Sequence, residues 1–308
     1  MQRWRADLSL VLVTAIWGST FVIVKNALDA VGPFVFIAAR FWVAAPALLA
    51  AVLWRRLPVS KRLLRQGMMT GVFLTAGFVT QTFGLQTTAA GKAAFITGLS
   101  VVLVPVFAAV LLRKPPARSA AVGVVLAAVG MGLMTLDGGL TFAPGDLWVL
   151  ACAVAFAGHI LATGQFSPNH AVLPFTLVQL GTVAVLSTIA APFFEGGALL
   201  LPPRAVPAVL YLGLAATAFV FGAQSWAQRH TTPTHTALIF SLEPVFAALF
   251  AMAFAGEALA TREWIGGALI LLGMLVAELC GDRRPEADVH AINVVRTMQG
   301  RDESTKLA

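Results

Sequence analysis

The chain has 308 residues, 58% of them hydrophobic and 11% charged, with a net charge of +7 and a mean hydropathy of +0.85. A soluble domain carries charge on about a quarter of its residues, so this composition excludes an ordinary water-soluble fold and points to lipid as the solvent. The positive charge does not argue for nucleic acid, because the basic residues stand in short loops between apolar runs, where they act as topology signals.

The first apolar run opens within MQRWRADLSLVLVTAIWG. It is too long for a secretory leader and closes on no small-residue cleavage site, so it reads as a retained span. Runs of about 20 residues suffice to cross ~30 Å of hydrocarbon. Ten are expected: 8–28, 33–53, 67–86, 93–112, 119–136, 147–164, 174–194, 207–227, 235–255 and 262–280. With the N-terminus inside, inner segments hold sixteen of the 21 basic residues, and the outer side holds Lys25, Lys92, Arg204 and Arg262. That asymmetry predicts two cytoplasmic termini in the cell's inner (plasma) membrane. Trp54, Trp148 and Trp264 fall at interfacial depths, and the polar tail 281–308 is expected in the cytoplasm. Cys152 and Cys280 show no metal-ligand spacing and say nothing about redox compartment.

The stretch from Thr236 to Leu279 repeats the plan of Ala93 to Leu136. A constant offset of 143 residues pairs Leu99 with Leu242, Gly123 with Gly266, and Gly130-Met131 with Gly273-Met274. The same offset pairs Phe78 with Phe221, Gln81 with Gln224 and Lys92 with His235. Five spans per copy is an odd number, so the second copy enters the membrane from the opposite face. The expected fold is an all-α polytopic membrane protein of ten transmembrane helices, in two inverted five-helix repeats around a central cavity. The repeats are 1–136 and 147–280. This is the pattern of a secondary transporter, with solute held between the halves near the bilayer midplane.

Arg40 and Glu243 are the ionisable residues deepest in the spans, roughly 10 Å and 12 Å from the nearer edge at 1.5 Å per residue. A charge at such depth costs at least ~2.5–3.5 kcal/mol and faces the bundle interior or a wet cavity. Two readings stay open for each. Glu243 is a proton or substrate site, or it organises the kink that Pro244 introduces. Arg40 is an anion partner for Glu243 or a substrate carboxylate, or it clamps neighbouring carbonyls. Gln81, flanked by Thr80 and Thr82, and Gln224, near Ser225 and Gln228, are candidates for solute contact or for helix-to-helix bonding. His159 has a side chain able to titrate near neutral pH. Trp17, Phe21, Phe78, Phe95 and Phe221 are candidate cavity aromatics. Lys92 either steers anions or is a solvated loop lysine. Gly123, Ala127 and Gly130, with Gly266 and Gly273, allow close helix contact.

Ile16-Trp17-Gly18-Ser19-Thr20-Phe21 resembles the "WGS-x-F" opening of the drug/metabolite transporter superfamily, specifically its EamA group. So do Arg40-Phe41, Ser241-Leu242-Glu243-Pro244-Val245-Phe246, Gly256-Glu257 and the glycines of the tenth span. The resemblance spans residues 8–280. It implies a helical basket whose cavity is lined mainly by spans 1, 3, 4, 6, 8 and 9, and export of small metabolites such as amino acids, aromatic ones included, by alternating access. In the first copy Lys114 stands opposite Glu257 and Ser100 opposite Glu243, which departs from any symmetric pair of acids.

The expected partners are a small-molecule substrate and the lipid bilayer, with no nucleic acid and no cofactor, in a monomer or homodimer. A passive channel and a lipid-carrier flippase subunit remain as alternatives. An intramembrane enzyme is disfavoured because the spans hold no HExxH, no Ser/His dyad on one helix face and no paired carboxylates.

Overall fold

The computed structural model describes residues 2–88, 90–111, 113, 116–135, 144–195, 201–255 and 260–279. The expected tail 281–308, Cys280, Lys114, the Gly256-Glu257 pair and residues 136–143 lie outside the described residues. In the first half, α1 (Gln2–Gly18) and α2 (Thr20–Leu28) share the first apolar run. α3 (Pro33–Trp54) and α4 (Lys61–Leu85) fill the next two, α5 (Ala90–Gly98) and α6 (Ser100–Leu111) share the fourth, and α7 (Arg118–Thr135) is the fifth. The second half runs through α8 (Pro144–Phe166), α9 (Val172–Phe194) and α10 (Val206–Gly213). A π-helical stretch, Leu214–Phe219, leads into α11 (Val220–Ala227), followed by α12 (Pro233–Phe240), α13 (Glu243–Ala255) and α14 (Thr261–Leu279). No strand occurs among the described residues.

Eight segments of the described residues are long and apolar enough to cross a membrane, and Arg118–Leu133 is a shorter apolar helix. The helices are apolar on their outer faces as well as their inner ones: Val72 is 53% exposed and Ile189 57%. In water such a surface would aggregate, whereas in hydrocarbon it is the solvated face. Where helix ends carry caps, the caps come from residues suited to the task. Ser60 accepts from the Leu63 amide at 3.1 Å and Thr232 from the His235 amide at 3.2 Å. The α3 N-terminus is capped from a distant part of the chain, since the Glu195 carboxylate accepts from the Phe34 and Val35 amides at 2.6 and 3.1 Å.

Pairing of the helices follows from small residues. α7 and α14 touch backbone to backbone: a methyl group at Gly123 would come within 2.5 Å of the Gly273 carbonyl oxygen, and one at Gly130 within 2.5 Å of the Gly266 carbonyl oxygen. α3 packs on α9, α4 packs on α8 and α9, and α1 packs on α11, α12 and α13. The interior between these pairs holds the site.

Candidate functional site

Three of the apolar runs expected to be continuous helices are broken, each at the same kind of place. The amides of Ser19, Leu99 and Leu242 bond back three residues, to the carbonyls of Ile16 (3.2 Å), Ile96 (3.2 Å) and Ile239 (3.0 Å). A tightened turn of this sort ends one helix and lets another begin. At the first break the Ser19 hydroxyl donates to the Ile16 carbonyl at 2.7 Å, and at the third the Ser241 hydroxyl donates to that of Leu238 at 2.6 Å. Both hydroxyls thus compete with the helical ladder. Pro244, which has no amide hydrogen, sits in the first turn of α13, so the expected kink at Glu243-Pro244 is a full break with Glu243 as the first residue of the new helix. An acid there is favoured by the helix dipole. Gly18 makes the first and third breaks adjacent: a methyl group on it would lie 2.9 Å from the Phe246 Cβ and 3.1 Å from the Glu243 carbonyl oxygen.

All three breaks open onto one cavity. Its volume is about 70 Å³, well above the ~10–15 Å³ that a single water needs, which gives room for several waters or one small organic solute. Thr20, Ser100 and Glu243, the first residues of α2, α6 and α13, all line it. Nine of the ten sequence-predicted site residues line it too. Trp17, Phe21, Phe78 and Phe221 form aromatic walls, Gln81, His159 and Gln224 supply neutral polar groups, and Arg40 and Glu243 supply the ionisable ones. Phe95 is not among the lining residues and packs instead against the apolar clusters beside α5. Thr20, Thr97 and Ser100 are lining residues that sequence reasoning did not single out as site residues. The rings interlock: Trp17 meets Phe240 edge to face at 5.0 Å and lies tilted against Phe221 at 5.5 Å, and Phe78 meets Phe156 edge to face at 5.6 Å.

Arg40 is buried and bonded rather than free. Its Nε donates to the Thr217 hydroxyl at 2.7 Å, one Nη donates to the Ala216 carbonyl at 3.1 Å, and its guanidinium lies 4.8 Å over the Phe78 ring. The π-helical stretch makes these acceptors available, because a widened turn leaves carbonyls outside the normal ladder. Thr217 ties the turn by donating from its hydroxyl to the Leu212 carbonyl, five residues back, at 2.7 Å. The Ala216 carbonyl also accepts from the Trp17 indole at 3.2 Å. No ion pair joins Arg40 to Glu243 among the described residues, although both face the same space. The carbonyl-clamping reading of Arg40 is therefore the geometry observed, with Phe78 adding a cation–π contact.

The neutral polar groups form two relays. His159 Nε2 meets Gln179 Oε1 at 2.9 Å, and Gln179 Nε2 donates to the Phe175 carbonyl at 3.4 Å. Gln224 Nε2 donates to Gln228 Oε1 at 3.0 Å, and Gln228 Nε2 donates to the Ile160 carbonyl at 2.9 Å. Gln81 Nε2 reaches the Thr97 hydroxyl at 3.4 Å, so the repeat mates Gln81 and Gln224 each bond elsewhere rather than to each other. Thr80 and Thr82 bond back to carbonyls of their own helix.

Two further contacts lie toward opposite ends of the bundle. Lys92, at the start of α5, is paired with Asp146 in the first turn of α8, and Thr88 also donates to that carboxylate. Its repeat mate His235, at the start of α12, meets Asp7 of α1 at 3.1 Å. Lys92 is thus an ion-paired residue, and the solvated-lysine reading is set aside.

A polytopic helical bundle with apolar outer faces, interrupted helices and a small polar and aromatic chamber between its halves has the architecture of a membrane transporter. The chain belongs to the EamA-like transporter family, whose family model matches residues 4–136 and again 143–278. It is 34% identical over 284 residues to an uncharacterized transporter of Archaeoglobus fulgidus, a match covering 91% of this chain and 87% of that one. A probable terminal-alkyne amino-acid exporter of Streptantibioticus cattleyicolor is 28% identical over 294 residues, covering 93% of this chain and 98% of the relative. A solved crystal structure superimposes with a TM-score of 0.77 at 22% identity, covering 91% of this chain and 99% of its own, which is a likeness of fold. The expected membership of the drug/metabolite transporter superfamily is thereby borne out.

Proposed function

We propose that this protein is an inner-membrane exporter of small organic metabolites, amino acids above all and aromatic ones included. It works by alternating access between two inverted five-helix repeats, with both termini cytoplasmic. The observation that carries the reading is the chamber itself. Breaks in the first, fourth and ninth apolar runs converge on one space walled by both halves, and the π turn in the eighth holds the cavity-lining Arg40. Interrupted helices at a midplane site are how transporters expose backbone dipoles to a solute without exposing them to lipid.

The glycine contacts support an inverted repeat. The touching pair Gly123 and Gly273, shifted by the 143-residue offset, becomes Gly266 and Gly130, which also touch. Such reciprocity is what a two-fold operator between the halves requires. The same offset relates Lys92 to His235, and each closes on an aspartate of a neighbouring helix at its own end. In this reading the two pairs latch the outer and inner mouths in turn. Walls that carry cationic, acidic and aromatic side chains suit the mixed chemistry of an amino acid. The name of the relative described as a probable terminal-alkyne amino-acid exporter supports the same substrate class.

The test is uptake into proteoliposomes reconstituted with purified protein, screened across amino acids, nucleosides and sugars. Saturable uptake of an amino acid, competed by its neighbours in structure, is the expected result. Flux rising linearly with concentration for every solute would instead identify a passive pore, and no flux would reject transport of these classes.

A further inference from the structure

The hydrogen-bond polarity of the cavity wall is fixed by chemistry, and it selects a kind of solute. The Ile160 carbonyl can only accept, so the Gln228 amide must present its Nε2 there and its Oε1 toward Gln224. Gln228 Oε1 in turn can only accept, so Gln224 must present its Nε2. That leaves Gln224 Oε1 as the unused end of the relay. It is buried, has no hydrogen-bond partner among the described residues, and belongs to a residue lining the cavity. An orphaned buried acceptor costs about 1–3 kcal/mol, and native proteins leave few of them.

The second relay is ordered by the same logic. The Phe175 carbonyl fixes the Gln179 amide, whose Oε1 then requires a proton on His159 Nε2. In the neutral ring that leaves Nδ1 as the accepting nitrogen of another cavity-lining side chain. The His159 ring stands edge to face with Phe221, 5.6 Å away and one helical turn before Gln224 on the same helix. Glu243 adds a third potential oxygen acceptor to the cavity wall.

We propose that Gln224 Oε1, backed by Gln228 and the Ile160 carbonyl, is the specificity-determining acceptor for a primary ammonium group on the transported solute. An ammonium brings three donors and no acceptor, which complements the unpaired Gln224 oxygen and the Glu243 carboxyl on the same wall. Gln228 is a positioning residue: it touches no solute but decides which end of the Gln224 amide the solute meets. The proposal deepens the transport reading and rests on it for the identity of the cargo, though the binding preference is measurable without flux.

The experiment compares matched ligand pairs on the purified full-length protein: phenylalanine against 3-phenylpropionate, and leucine against 4-methylpentanoate. Thermal-shift titration gives the affinity of each. The amine-bearing member is expected to bind wild type about tenfold more tightly or better, the worth of a hydrogen bond to a charged group. Gln224→Met should bring that ratio below about twofold, while Gln224→Glu, which keeps an acceptor, should retain it. Gln228→Met should also narrow the ratio, because the freed Gln224 amide can then turn to offer its Nε2, whereas a merely structural glutamine would leave selectivity unmoved. Should Gln224→Met fail to fold, Gln228→Met decides.

Equal binding of the deaminated acids to wild type, no binding of any of the four, or an unchanged ratio in Gln228→Met overturns the proposal. Preferred amine binding without saturable uptake overturns the transport reading and leaves the ammonium site standing. Saturable uptake of the deaminated acids at the same affinity does the reverse.

Discussion

Arg40 shows how a cationic side chain buried in the bundle is ordered: two hydrogen bonds and an aromatic face replace water. Arg40→Ala removes a cation from both acceptors and is expected to destabilise the protein by about 2–3 kcal/mol, read as a lower melting temperature in detergent. Arg40→Lys, lacking the planar fork, should fall between Ala and wild type. His170, in the connection between α8 and α9, stacks on Phe175 at 5.7 Å and bonds Gln66 at 2.6 Å. Burial, and secondarily the nearby Arg62 charge, hold its imidazole below the ordinary histidine pKa. The folded state therefore prefers the neutral ring. Its contribution to stability is full above about pH 6.5, the ordinary value, and declines as the pH falls from there toward the lowered folded value. Wild type should lose melting temperature between pH 6.5 and 5 more steeply than His170→Gln; parallel curves would refute this. At this scale the sequence was informative wherever polarity was out of place. Arg40, Glu243, Gln81, Gln224 and His159 cannot face hydrocarbon cheaply, so their types alone sent them inward. Phe95 carries no such constraint, and it went to an apolar cluster. Thr20, Thr97 and Ser100 were not singled out as site residues because a hydroxyl can satisfy itself on its own helix and costs little anywhere.

Among the elements, the apolar runs were readable because a span must hide its backbone in a helix, but their interruptions were only half-written. Pro244 marks the break before α13. The break between α1 and α2 has no proline, only Gly18-Ser19, and Leu214–Phe219 contains nothing that distinguishes a π turn from an α turn. That turn is held by Thr217, which reaches back five residues, and by Arg40 and Trp17, which converge on the Ala216 carbonyl; the last two contacts are tertiary facts. The α7–α14 seam gives a sharper test. Gly123→Ala puts a methyl group where the Gly273 carbonyl already lies, forcing the helices apart at an expected cost of about 1–3 kcal/mol. Gly181→Ala on α9 meets nothing within 4 Å and should be neutral or gain about 0.5–1 kcal/mol from helix propensity. Equilibrium unfolding of the two variants side by side separates crowding from propensity.

For the molecule as a whole, the internal offset and the alternation of basic loops predicted a doubled membrane bundle, and the family match runs through the chain twice. What the sequence did not carry is which residues meet across the halves, since that depends on the angle at which they pack. If Lys92–Asp146 and His235–Asp7 are opposite latches, Asp146→Asn should raise maleimide labelling of a cysteine placed at Ser100 from the outside only, and Asp7→Asn from the inside only. Labelling that rises from both sides in both variants would make the pairs structural. One atom joins the halves in a way no such substitution can reach. Trp17 and Arg40 come from the first half, and both hang on the oxygen of Ala216 in the second. Because that oxygen belongs to the main chain, every codon at position 216 except proline's leaves it in position, and even proline retains a carbonyl. Only a change in length, the loss or gain of a residue that rewinds Leu214–Phe219, would withdraw it. The feature is thus exposed to insertions and deletions and nearly blind to point mutation.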